Sequence, residues 1–226
     1  MTIEEKSPFA AAYLKILTPS KTLCRKEFTY SGHTYGEIYE LAAGLRKTLI
    51  KRGAEKTVCL CTENKAVVAA SVLASLSGAC KLILPHSFSS HALMEMHEAT
   101  GFDAAVADHP EEMPGVEIIT PHAGNPGDLN PENLRDPDQP FLKLFTGGST
   151  GKPKVWSKSP RNLLAEAVYL RDQFALTDKD LFIATVPPYH IYGLLFSILT
   201  PILAQARVLP ETYTFPQEIL STINRH

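Results

Sequence analysis

The sequence predicts an α/β fold, a mostly parallel sheet with flanking helices. Two observations carry that expectation. Segments with apolar residues at helical spacing alternate with short, continuously apolar runs, and each run is bounded by Gly, Asn or Pro. Such an order implies right-handed βαβ crossovers, because a strand reaches a parallel partner only by crossing back over the sheet.

Thr34-Tyr35-Gly36-Glu37 has the S/T-x-x-E form of a capping box. Ile38, Leu41, Ala42, Leu45 and Leu49 follow at helical spacing until Gly53, which predicts an amphipathic helix. Val58-Cys59-Leu60-Cys61 reads as a buried strand, Asn64 caps a helix through Ser77, and Gly78 closes it before a second strand, Lys81 to Pro85. A helix from about Ser90 to Thr100 and a short strand around Ala104-Ala105-Val106 continue the alternation. Residues 121–140 hold Pro121, Pro126, Pro131, Pro137 and Pro140 among Gly, Asn and Asp, a composition expected of a surface linker. It separates a first α/β segment, 1–120, from a second, 141–226.

In the second segment Phe141 to Phe145 reads as a strand, Ser159 with Pro160 opens a helix through about Phe174, and Leu181 to Ala184 is another strand. Trp156, on a strand after the loop described below, is expected in the core. The most apolar run, Ile191 to Ala206, falls short of the ~20 residues that span a bilayer and reads as a buried helix; no membrane span is expected. Phe215 to His226 starts a helix through Ile219, Leu220 and Ile223 that leads into no further strand, so the chain is expected to stop within a unit.

Composition narrows the functional classes. Of 226 residues, 44% are hydrophobic and 20% charged, which excludes disorder across the chain. Lys+Arg 22 against Asp+Glu 24 gives a net charge of -2, with no chain-wide basic field for a nucleic-acid backbone. Cysteines 24, 59, 61 and 80 form neither a zinc knuckle nor a CxxC pair. Cys59 and Cys61 share one strand face and read as reduced core residues of a cytoplasmic protein. Glu4, Glu5 and Lys15 fit no secretory signal. His86, His91 and His97 lie close in sequence, but Gly101 stands where HExxH needs its second histidine, so no metal site is expected.

The chemistry concentrates in Thr146-Gly147-Gly148-Ser149-Thr150-Gly151-Lys152-Pro153-Lys154, which holds three glycines, three hydroxyls and two lysines. Glycines let backbone N–H groups turn inward on an anion, hydroxyls add donors, and lysines supply countercharge. A Walker A loop needs glycine at 146 and a hydroxyl residue at 153, where Thr146 and Pro153 stand, so this is a different phosphate binder.

FTGGSTGKPK resembles the signature phosphate loop of adenylate-forming enzymes, which include the acyl-CoA synthetases, luciferases and peptide-synthetase adenylation domains. Pro187-Pro188-Tyr189-His190-Ile191-Tyr192-Gly193-Leu194 resembles the P-x-x-H-x-x-G segment of the same family, and the resemblance runs from about Thr34 to His226. It implies the N-terminal part of the family's large domain. It also implies ATP-dependent activation of a small-molecule carboxylic acid to an acyl-adenylate, followed by transfer to a thiol such as coenzyme A, with Mg2+ accompanying ATP. By motif position Thr146, Gly147, Gly148, Ser149, Thr150 and Gly151 line the nest; Lys154 matches the more constrained lysine, and Lys152 a variable slot. The resemblance places His190 near the acyl pocket, with Tyr189 and Tyr192 shaping its walls, and its histidine form favours acyl- and aryl-CoA ligases over amino-acid-activating domains. The family's adenine and ribose motifs and its C-terminal lysine domain are not in these 226 residues. The expectation is therefore the N-terminal part of such a ligase, inactive without the rest; the alternative is a noncatalytic nucleotide-binding or interaction module derived from that family.

Overall fold

The central strand is buried along its whole length, and the rest of the architecture is arranged to cover it. The computed structural model describes residues 8–107, 115–129, 131–146 and 154–226. In chain order its elements are α1 (Pro8–Lys15), α2 (Lys21–Cys24), α3 (Tyr35–Leu49), β1 (Thr57–Cys61), α4 (Lys65–Leu76), β2 (Lys81–Leu84), α5 (Ser90–Thr100), β3 (Ala104–Ala107) and β4 (Glu117–Ile118). After these come β5 (Leu142–Thr146), β6 (Lys154–Lys158), α6 (Pro160–Gln173), β7 (Leu181–Ala184), α7 (Ile191–Leu194), α8 (Thr200–Ala204), β8 (Arg207–Thr212) and α9 (Pro216–Arg225).

Six strands form one sheet in the order β4-β3-β1-β2-β5-β6, all parallel except the β5–β6 pair. Alternate side chains of β1 enter two cores, as strand periodicity requires. Val58 and Leu60 join the large cluster with Ile38, Leu45, Val72 and Leu76 of α3 and α4. Cys59 and Cys61 face the other way, against Leu93 and Met96 of α5 and Phe102. The two sulfurs lie 3.2 Å apart as free thiols, and burial pushes the Cys59 thiol well above its ordinary range. A strand buried on both faces takes a continuous apolar run, which is why β1 and β2 were legible.

The predicted caps form. Thr34 Oγ1 accepts the Glu37 amide at 3.2 Å while the Glu37 carboxylate accepts the Thr34 amide at 2.7 Å. Asn64 accepts from Ala66 and Val67 at the start of α4, and Ser159 with Asn162 closes a second reciprocal box at α6. Segment 121–140 lies against the first half of the chain. The Gly124 amide donates to Glu40 O at 2.8 Å, and a Cβ on Gly44 would meet His122 O at 1.8 Å. Arg135 donates to the carbonyls of Cys80 at 2.8 Å and Ala54 at 3.1 Å. Beyond this segment, β5 pairs with β2, so strands from both sides share one sheet.

The second sheet is the parallel pair β7–β8, joined to Thr29 by a bridge at Val208. Ile191 to Ala204 is helical throughout, as the apolar run predicts, with a π turn at Leu195–Leu199 between α7 and α8. Two features depart from the sequence reading. Trp156 is 56% exposed rather than in the core, because β6 is an edge strand whose first four residues face solvent. β8 has no run of its own in the sequence, since Pro210 and Glu211 break its apolar pattern. Among the described residues, no helix is long and apolar enough to cross a membrane.

Thr34→Ala removes a side-chain acceptor that only the cap supplies. It should cost ~1 kcal/mol, measured as a lower urea midpoint at unchanged slope; an unchanged midpoint would show that the box contributes nothing here.

Candidate active site

Parallel pairing puts the carboxyl ends of β1, β2 and β5 at one edge of the sheet, the edge at which open α/β sheets bind ligands. Three connections leave from it: Thr62–Asn64 after β1, Pro85–Ser89 after β2, and the segment that follows Thr146. Thr146 and Lys154 stand directly opposite one another in the antiparallel β5–β6 pair. Gly147, Gly148, Ser149, Thr150, Gly151 and Lys152, all expected in the phosphate nest, lie outside the described residues.

The second contribution comes from the segment after β7. Pro187 O accepts the His190 amide at 3.0 Å, and His190 O accepts the Leu194 amide at 2.8 Å, so His190 is the N-cap of α7. Its imidazole makes no capping bond and remains available to the edge. This tight entry depends on Gly193, where a Cβ would sit 1.9 Å from Pro187 O and 2.7 Å from Val186 O.

A chain of rings connects the two contributions. The Tyr189 and His190 rings have centroids 4.5 Å apart, and Tyr189 meets Phe88 at 4.4 Å. His86, at the end of β2, stacks on Phe145 of β5 at 5.6 Å. The Glu63 carboxylate lies near the Tyr189 ring's hydroxyl; burial first, and then that carboxylate's charge, raise the phenol's pKa. Burial, followed by the neighbouring His86, lowers the His190 pKa from its ordinary 6.5, against an opposing pull from Glu63. A neutral imidazole at pH 7 follows. Such a ring can donate one N–H to a carboxylate without neutralising it.

A cleft of about 380 Å3 runs beside α7 and the π turn, lined mainly by Phe182, Val186, Tyr192, Gly193, Phe196 and Ser197. Its walls are apolar apart from hydroxyls, which suits the nonpolar part of a small acid. Among the described residues, no group of three or more His, Cys, Asp or Glu could hold a metal ion. His97 bonds Phe102 O through Nδ1 at 2.6 Å, an interaction within the fold.

The structure therefore brings His190, Tyr189 and the ends of the loop segment, Thr146 and Lys154, to one side of the molecule. It adds Glu63, Phe88 and the non-metal role of His86, none of which the sequence reading singled out. Glu63 sits beside a capping Asn64 and reads in sequence as an ordinary turn residue; the approach of Tyr189 comes from tertiary structure.

The family described as AMP-binding enzyme matches residues 17–226. A 2-succinylbenzoate–CoA ligase from Bacillus pumilus is 27% identical over 198 residues, 84% of this chain and 40% of that protein. The solved structure of ATP-bound MatB from Rhodopseudomonas palustris superposes with a TM-score of 0.74 at 20% identity, over 95% of this chain and 48% of that one. O-succinylbenzoate coenzyme A synthetase from Bacillus subtilis, in complex with ATP and magnesium ion, gives 0.71 at 18% identity, over 95% and 60%. At these identities the structural likeness shows the fold, and it lies in the N-terminal part of such enzymes. The chain spans less than half the length of the curated relative.

Two outcomes test this geometry. Gly193→Ala should destabilise the chain by ~1–3 kcal/mol, the scale of overpacking, and shift the backbone at 186–187; a thermal midpoint equal to wild type would mean that the close approach is absent. The His190 ring should titrate below pH 6.5 by NMR. Its stabilisation is full above the unfolded value of ~6.5 and is lost as pH falls through the lowered folded value. His190→Gln should flatten that acid limb, and a midpoint at or above 6.5 would contradict the burial account.

Proposed function

Because the chain belongs to the AMP-binding enzyme family, we propose that it carries the phosphate-binding and acid-positioning parts of an ATP-dependent carboxylate–thiol ligase. In the first step a carboxylate oxygen attacks the α-phosphorus of ATP, the bond to the β-phosphate oxygen breaks, and pyrophosphate leaves. In the second a thiol sulfur, that of coenzyme A by likeness to the CoA ligases among the relatives, attacks the acyl carbon and AMP leaves. The observation that supports this reading above all is the run of rings that links His190 through Tyr189 to Phe88 in the connection after β2, at the sheet edge where Thr146 ends β5 opposite Lys154.

Each residue has a role in that reading. Backbone amides of Gly147, Gly148 and Gly151 and the hydroxyls of Thr146, Ser149 and Thr150 hold the β- and γ-phosphates, where negative charge builds as pyrophosphate departs. Lys154 supplies fixed countercharge, and Lys152, in the variable slot of the motif, a weaker one. His190 donates to the substrate carboxylate and aims it, and being neutral it leaves the nucleophilic oxygen its charge. The nonpolar remainder of the acid lies along Tyr192 and Phe196. Mg2+ fits as an ion brought in on the nucleotide phosphates, because it keeps most of its water and needs only one or two carboxylates from a protein. The four free cysteines suit a reducing compartment, and we place the protein in the cytoplasm.

Titrating the 226-residue chain with pyrophosphate should move the amide resonances of Gly147 to Gly151 most, and a response centred elsewhere would remove the loop from the reading. In a chain extended over the full length of the relatives, Lys154→Ala should slow ATP–pyrophosphate exchange ~100-fold, the scale of one preorganised contact to the departing phosphates. Lys152→Ala should do less; equal losses would mean that the two roles are misassigned. A hydroxamate trap across several carboxylic acids, run on both chains, tells whether acyl-adenylate forms and on which length of chain.

A further inference from the structure

A cation sits out of solvent at the start of α4. Lys65, the first residue of α4, is 2% exposed, and its ammonium donates to Pro210 O at 2.7 Å, to Glu211 O at 3.0 Å and to Thr212 Oγ1 at 3.4 Å. All three donors of the ammonium are thereby used. Burial lowers its pKa to about 8, with Glu211 and Glu63 opposing the fall, so the group is still cationic at neutral pH.

The acceptors occupy the one stretch of the second sheet that its own ladder does not hold. β7 and β8 pair at Phe182–Val208 and next at Ala184–Thr212, so Leu209, Pro210 and Glu211 stand against the single residue Ile183. Proline has no amide to give, and the Pro210 and Glu211 carbonyls turn to Lys65. On one side of this irregularity β8 is well tied, with Val208 N–H donating to Phe28 O at 2.8 Å and Tyr30 N–H to Val208 O at 2.9 Å. On the other side the tie continues through Thr212, paired with Ala184, and the Tyr213 N–H, which donates to Ala184 O at 2.9 Å. Ala184 leads in six residues to His190 and is itself in the wall of the cleft.

We propose that Lys65 is a positioning residue: its ammonium, bound to the unladdered carbonyls of β8, sets the carboxyl end of the second sheet, and with it the segment that leads to His190, against the loops leaving β1 and β2. Glu63, two residues earlier on the same turn, places its carboxylate near Tyr189, so one short turn faces both ends of this segment. A lysine suits the task because a flexible stem delivers a compact charge with donors in three directions. The role belongs to this chain's own arrangement and needs no ligand.

Amide exchange and histidine ring spectra of the 226-residue chain at pH 7 test it. In Lys65→Met the Tyr213 amide should lose about tenfold or more of its protection, as an opening confined to one region does. The Val208 amide should keep its own within about twofold, and the His190 ring resonance should move. Lys65→Arg, with a cation and several donors, should restore most of the Tyr213 protection. Equal losses at Tyr213 and Val208 would show a general destabilisation and overturn the proposal, as would an unchanged Tyr213 amide and His190 ring. If Lys65→Met does not fold, Lys65→Gln decides: with a shorter neutral amide it should lower Tyr213 protection selectively, and no change there overturns the assignment. No nucleotide or acid enters these readouts, so their result is separate from the outcome of pyrophosphate titration.

Discussion

Covering β1 on both faces is the constraint from which the rest of the structure follows. Val58 and Leu60 require α3 and α4 on one side, and Cys59 and Cys61 require α5 on the other. Helices on both faces go with parallel strands, since each crossover must pass over the sheet. Parallel strands in register then end together: Cys59 lies opposite Ile83, and Leu84 opposite Leu144. The loops after β1, β2 and β5 therefore leave from one edge. A site at that edge is a consequence of how the core is buried, before any functional side chain is considered.

The second sheet reaches that edge by a different set of contacts. Tyr35, fully buried on α3, donates its hydroxyl to Ala206 O at 2.8 Å with Pro201 O at 3.0 Å, so the longest helix of the first core also anchors the end of α8. Val208 pairs with the segment 28–30, and α7 enters its first turn against Pro187 only because position 193 lacks a Cβ. These ties are directional and few, in contrast with the broad apolar contact of α3 on α4. A segment held by a small number of hydrogen bonds and one close backbone approach takes a defined position while leaving the His190 ring unspent.

The electrostatics of the site divide between its two contributions. The loop segment gathers lysines, hydroxyls and glycine amides, all of them donors suited to anions. The His190 side carries no cation of this kind: a ring whose protonation burial disfavours, a phenol beside the Glu63 carboxylate, and an apolar cleft next to α7.

By itself the sequence determined what is encoded locally. Helical periods, the Thr34, Asn64 and Ser159 caps, the apolar runs of β1 and β2 and the glycine-, hydroxyl- and lysine-rich segment are patterns within a few residues, fixed by backbone geometry and side-chain chemistry. The P-x-x-H-x-x-G spacing was legible for the same reason, and the need for Gly193 arises six residues from the first carbonyl it would strike, that of Pro187. Tertiary structure alone decided which strand lies at an edge, and so left Trp156 in solvent where its chemistry suggests a core. It alone carried Glu63 to Tyr189, His86 onto Phe145 and Lys65 to carbonyls 145 and 146 residues away. Contacts at such separations leave no mark in local sequence, because a buried lysine or a stacked histidine is set by where the sheet brings distant backbone, and the same residue on another surface would be an ordinary solvated side chain.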